Sequence, residues 1–186
     1  MLEIIEQMKG EICHHYDIEK DTYIASKANS FFGKIEGEKF EFKIQTLFIN
    51  TLLSNSRYSR RLSRRDKSNC VLNNKKDGLV IIYLGIIYFY DLKKKILSKN
   101  SKLIQCRNVL HQGIATFENK IVFGEYGSNE KNEDVPIWYS NDDGRSWEII
   151  KKIKNIKHIH GIYKDPFSKD LWISTGDLDG QCTLFQ

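Results

Sequence analysis

Short apolar runs separated by turn residues recur along the chain, and their order repeats. At Asp21–Ser26, Asp77–Ile82, Asn119–Gly124 and Asp170–Thr175, an acid or Asn closes a turn and a short apolar strand follows. Each reads as the second strand of a hairpin. A candidate first strand precedes each one, at Ile12–Tyr16, Asn69–Asn73, Gly113–Phe117 and His158–Tyr163. A third follows, at Ser30–Lys34, Ile86–Asp91, Ile137–Asn141 and Cys182–Phe185. A fourth is visible after the first three, near Phe40–Ile44, Lys95–Lys99 and Trp147–Lys152. Four short antiparallel strands per repeat describe a propeller blade, and repetition at about 40 to 50 residues governs the whole fold. The expectation is an all-β chain: one β-propeller domain over residues 1–186, with about four blades present.

The repeat is uneven, and two insertions account for it. Ile44, Leu47, Phe48 and Leu52 stand at helical spacing, followed by Arg57, Arg60, Arg61 and Arg64 at the same spacing. This predicts an amphipathic, basic helical insertion over 44–66. The stretch 127–135 is rich in Glu, Asn, Gly and Ser and predicts an exposed loop. The fourth repeat lacks a last strand, while Leu2–Met8 resembles the Trp147–Ile153 strand. Either Leu2–Met8 completes the fourth blade, or it ends a preceding blade and the chain is part of a larger, incomplete propeller. The second reading is favoured, and an open ring leaves sheet edges through which chains self-associate.

Composition narrows the picture without naming a function. The chain has 186 residues, 40% hydrophobic and 12% aromatic, as a folded globular domain does. Its net charge of +5 is scattered, apart from a cluster of Arg57, Arg60, Arg61, Arg64, Arg65 and Lys67 with Tyr58. That cluster suits an anionic polymer by counterion release, although a solvated helix face explains it more simply and argues against a nucleic-acid protein. Cys13, Cys70, Cys106 and Cys182 form no CxxC pair, so their spacing points to neither a zinc site nor a disulfide framework. No stretch has the pattern of a signal peptide or the length of a membrane span. The expected setting is cytoplasmic, with no membrane association and no cofactor.

One turn carries a family likeness. Ser140, Asp142, Gly144, Ser146 and Trp147 fill all five positions of the pattern S-x-D-x-G-x-[ST]-W, which resembles the Asp box of the bacterial neuraminidase repeat, the sialidase-like propellers. Its chemistry is that of a tight turn: Asp oxygens accept backbone N–H bonds, Gly144 takes positive φ, and the indole packs into the blade. The resemblance places this box between third and fourth strands on the outer rim, so it speaks to architecture and leaves catalysis open. Over roughly Cys70–Phe185 the chain is similar to uncharacterised members of that group. The resemblance implies a glycan-related propeller that binds or hydrolyses a saccharide in the central channel. A non-catalytic binding scaffold and an inactive truncated propeller are the alternatives.

Polar residues on the innermost strands are the first candidates for such a site. His111, Gln112, His158, His160 and Arg107 are the expected substrate-binding residues, with Glu125 and Asp177 as the carboxylate pair of a glycoside hydrolase-like enzyme. Turn capping by both carboxylates is the simpler alternative. True sialidase activity is disfavoured, since Arg107 is the only arginine near an inner strand. His158 and His160 with a carboxylate have the residue types of a zinc or iron site, but hydrogen-bonded structural histidines are preferred and no metal is expected. Asp177 to Gly180 also resembles a short calcium loop, and a hairpin turn is preferred there because the terminal Glu is absent.

Overall fold

In a computed structural model, residues 11–50, 68–110, 113–177 and 179–186 are described. Two compact units divide the chain, at residues 1–66 and 67–186. The described residues form four antiparallel sheets, each an up-and-down meander in which consecutive strands pair. This is the β-propeller expected from the repeat, with each sheet a blade.

In the first unit, β1 (Ile12–Asp17), β2 (Thr22–Lys27), β3 (Ser30–Ile35) and β4 (Glu38–Lys43) pair in order. Ile24 and Phe31 are fully buried, and Phe31 stacks on Phe42 with ring centroids 5.5 Å apart. Beyond β4, Ile44 is buried and its N–H donates to the Asn29 carbonyl at 2.9 Å. A helical turn begins at residues 48–50, with Leu47 and Phe48 exposed. The remainder of the expected insertion, with its arginine cluster, lies outside the described residues, as do Leu2–Met8.

The second unit holds three blades. They are β5 (Ser68–Leu72), β6 (Gly78–Tyr83), β7 (Ile86–Asp91) and β8 (Ile96–Lys102); then β9 (Ile114–Phe117), β10 (Lys120–Gly124), β11 (Val135–Ser140) and β12 (Glu148–Ile153); then β13 (Ile159–Lys164), β14 (Leu171–Thr175) and β15 (Leu184–Phe185). The last sheet has three strands among the described residues, as the sequence pattern anticipates.

Period-2 alternation explains why these blades stack. Along β10, Ile121 and Phe123 join a core with Val80, Ile82, Ile87 and Phe89 of the preceding blade. Val122, on the opposite face, joins Ile159 and Ile162 of the following blade. A central blade strand is thus apolar on both faces, because both faces are covered by neighbours. Full burial of each such Ile or Phe contributes about 1.5–3 kcal/mol. At the inner strands the contact is backbone-close: the Ile162 N–H donates to the Gly113 carbonyl, and a Cβ on Gly113 would lie 2.8 Å from the His160 carbonyl oxygen.

No helix among the described residues is long and apolar enough to cross a membrane.

Candidate functional site

The turn at Ser140–Trp147 joins β11 to β12 and is built as its residue types require. Asp142 Oδ1 accepts from the N–H groups of Arg145 and Ser146 at 3.0 and 2.8 Å, while Ser140 Oγ accepts from Gly144 N–H at 2.8 Å. Gly144 has φ +95°, and Trp147 Nε1 donates back to its carbonyl at 3.1 Å. The indole rests against Phe123 with centroids 5.2 Å apart.

The same turn also locks two blades together, which the pattern alone does not reveal. Buried Asp143 reaches the β5–β6 turn of the preceding blade: Oδ1 accepts from Asn74 N–H at 2.9 Å and Oδ2 from Lys75 N–H at 2.9 Å. Arg145 donates to both oxygens of Asp77 at 2.9 Å and lies over the Phe89 ring. Burial works to raise the Asp77 pKa, yet hydrogen bonds from Asn73 and Arg145 hold it below its ordinary value. The signal for this latch was in the sequence, as the variable x positions Asp143 and Arg145 and the Asn-rich turn 73–77. Nothing there said that the two turns meet.

Glu125 follows β10, and its carboxylate is wholly enclosed, at 1% exposure. Oε1 accepts from Ile104 N–H at 2.8 Å and from the Trp138 indole at 2.8 Å. Oε2 accepts from the N–H groups of Gln105 at 2.7 Å and Cys106 at 3.0 Å. A buried carboxylate is tolerable when it is hydrogen-bonded in this way. The arrangement pins the strand-to-strand connection 104–106 to the blade formed by β9 to β12, and it leaves no lone pair turned toward a substrate. These bonds are of the capping kind weighed for Glu125 as the alternative to catalysis. Burial, reinforced by the Glu125 charge, pushes the neighbouring Cys106 thiol up, away from nucleophilic reactivity.

Asp177 stands two residues after β14, where Glu125 stands one after β10, and it behaves differently. It is exposed, with φ +89°, and its carboxylate turns toward the two histidines. Oδ2 stands 3.0 Å from His158 Nε2, and Oδ1 3.2 Å from His160 Nε2. His158 is 4% exposed and precedes β13, while His160 sits where the β13–β14 register shifts between Ile159 and Gly161. His160 is thus the extra residue at a bulge, and its ring centroid lies 4.9 Å from that of His158. Tyr126 closes the cluster, its ring 4.1 Å from that of His158. The two carboxylates of the expected pair thus have different fates, and only Asp177 joins the histidines.

Of the other expected residues, Arg107 is exposed in the connection before β9, its backbone carbonyl accepting from Gly85 N–H. His111 and Gln112 lie outside the described residues. Asp179 and Gly180 form an exposed turn with Gly180 at φ +79°, as a hairpin turn demands. Tyr126 and Cys182, near the histidines, were missed because neither stands in a motif. A Cβ on Gly176 would lie 3.3 Å from His160 Nε2 and 3.6 Å from Cys182 Sγ.

No family model matches the chain. No curated protein matches it either. Among solved structures it is similar to a chain of the "Crystal structure of Nidogen/Laminin Complex", at 11% identity and a TM-score of 0.49, over 83% of this chain and 51% of that one. The chain spans about half the length of that neighbour, and a likeness at this level carries no argument about ligand or partner. The fold stands on the strand pairing itself, and that pairing is of a β-propeller.

Proposed function

We propose that this chain is a non-enzymatic binding module that takes its ligand beside β13 and β14, where His158, His160, Tyr126 and Asp177 gather. The observation that carries the reading is the enclosure of Glu125. Glycoside hydrolysis in its usual form needs two accessible carboxyl groups flanking one bond. Glu125 is 1% exposed and spends its oxygens on four donors, so the pair reduces to Asp177 alone. A lone carboxylate beside imidazole and phenol groups still offers acceptors, donors and ring faces, which is the equipment of recognition. The propeller fold itself supports a binding role in general, since propellers host many functions on one scaffold.

A saccharide is the ligand class proposed, on the strength of the Asp-box resemblance. A glycan array with the purified chain, repeated with His160→Ala and Asp177→Asn, tests it. Expected is binding to a restricted set of glycans that both substitutions weaken, together with no release of aryl alcohol from aryl glycosides. Binding indifferent to both substitutions would remove this site from the function, and turnover abolished by Glu125→Gln in a folded protein would restore the hydrolase.

A further inference from the structure

His158 presents an electrostatic problem that its own surroundings leave unsolved. Its Nδ1 lies 2.8 Å from the Gly127 carbonyl, and since a carbonyl only accepts, Nδ1 carries the hydrogen. The neutral ring therefore has its lone pair on Nε2, which faces Asp177 Oδ2 at 3.0 Å. Two lone pairs at that separation repel. A proton on Nε2 would turn this contact into an ion pair, whereas a cation shared with His160 Nε2, also buried and without a hydrogen bond, meets both ring nitrogens at once. A positive charge placed among the two rings and the carboxylate is within reach of all three groups.

We infer that His158, His160 and Asp177 form a binding site for a divalent transition-metal ion of the zinc class. Ligand atoms about 2.0–2.2 Å from a common zinc, at angles of roughly 90–110°, stand about 3.0–3.5 Å apart. The two imidazole-to-carboxylate separations, 3.0 and 3.2 Å, fall in that range. All three ligand atoms lie within 4.8 Å of one another, so a modest turn of the half-buried His160 ring completes the set. Two imidazoles and a carboxylate match the preference of zinc for nitrogen and oxygen donors, where calcium or magnesium asks for oxygen alone. The Nδ1–H···O=C bond from His158 to Gly127 is the outer contact that fixes tautomer and ring orientation in metal-bound histidines. Three protein ligands leave a fourth position for water or a ligand atom. Cys182 stands near His160 and is left out of the set, since Asp177 already faces both rings.

The site uses the residues of the proposed binding reading but does not depend on the ligand being a saccharide, so the test uses the metal alone. Protein stripped with a chelator and dialysed is titrated with Zn2+ against a chromophoric competitor and with Co2+ by visible absorption, with stoichiometry from elemental analysis. Expected is one ion per chain, Co2+ absorption typical of a four-coordinate nitrogen and oxygen set, and a rise in melting temperature on adding Zn2+. His160→Ala and Asp177→Asn each weaken Zn2+ binding at least tenfold; Asn is at ease at positive φ, so Asp177→Asn keeps the turn. Cys182→Ser retains the ion. Wild-type affinity no better than that of a folded His160→Ala/Asp177→Asn double variant overturns the site. So does an ion lost with Cys182→Ser yet kept with Asp177→Asn. Should zinc fail to bind while glycan binding persists, the metal inference falls and the binding reading stands; the reverse outcome separates them the other way.

Discussion

Replacing Glu125 by Gln separates a structural carboxylate from a catalytic one, because the change preserves shape and removes half of the acceptor capacity. In the native chain the two oxygens meet four N–H donors, two each. An amide has one oxygen and one NH2, so either orientation sets an NH2 group against two donors. If the NH2 faces Ile104 N–H and the Trp138 indole, the buried indole is orphaned; if it faces Gln105 and Cys106, two backbone donors are. A donor left unsatisfied costs about 1–3 kcal/mol when buried, and water reaches the exposed Ile104 end to recover part of it. The expected loss is about 2–4 kcal/mol. For a chain of this size that lowers the melting temperature by roughly 5–15 °C. Urea unfolding followed by tryptophan fluorescence is the assay, since Trp138 lies in the network itself. An unfolding free energy unchanged within about 0.5 kcal/mol would refute the reasoning and return Glu125 to the candidates for chemistry.

Asp143→Ala removes the acceptor for the Asn74 and Lys75 N–H groups and places Ala at φ +63°, so a loss of about 2–4 kcal/mol is expected in the same urea experiment. Asp143→Asn, at ease with that φ, costs less. Gly144→Ala meets a harder obstacle, since φ is +95° and the new Cβ would fall 2.2 Å from Val80 Cγ2; a loss of at least about 2 kcal/mol is expected, measured by thermal melting. Asp142 and Asp77 are both held below the ordinary carboxylate range: against the burial that would raise them, hydrogen bonds from Ser146, Ser140 and Arg145 act on Asp142, and from Asn73 and Arg145 on Asp77. Their stabilisation is complete above the unfolded value of about 3.9 and is lost as pH falls through the folded values. Chemical denaturation between pH 7 and 2 should show stability falling below about pH 4, with a shallower fall in Asp142→Asn.

The sequence by itself determined the blades. Alternation of apolar positions, interrupted by turn residues, is a local property of each stretch, and strands pair with their chain neighbours, so β1 to β15 lie within three residues of the expected segments. Local too is the Ser140–Trp147 turn, whose bonds run between residues two to four apart. What the tertiary structure alone decided is which polar residues meet across blades. Glu125 and Asp177 follow β10 and β14 by one and two residues and read alike in sequence. One is enclosed by the 104–106 connection and the Trp138 indole; the other is exposed and turned to His158 and His160. A bulge at His160 also interrupts the strand register there, which the alternation of positions does not announce. Asp143 likewise shows its role only when the 73–77 turn lies against it. Periodicity records which face of a strand is covered, whereas the fate of a carboxylate depends on donors about 20 or 70 residues away, brought near by the stacking of one blade on the next.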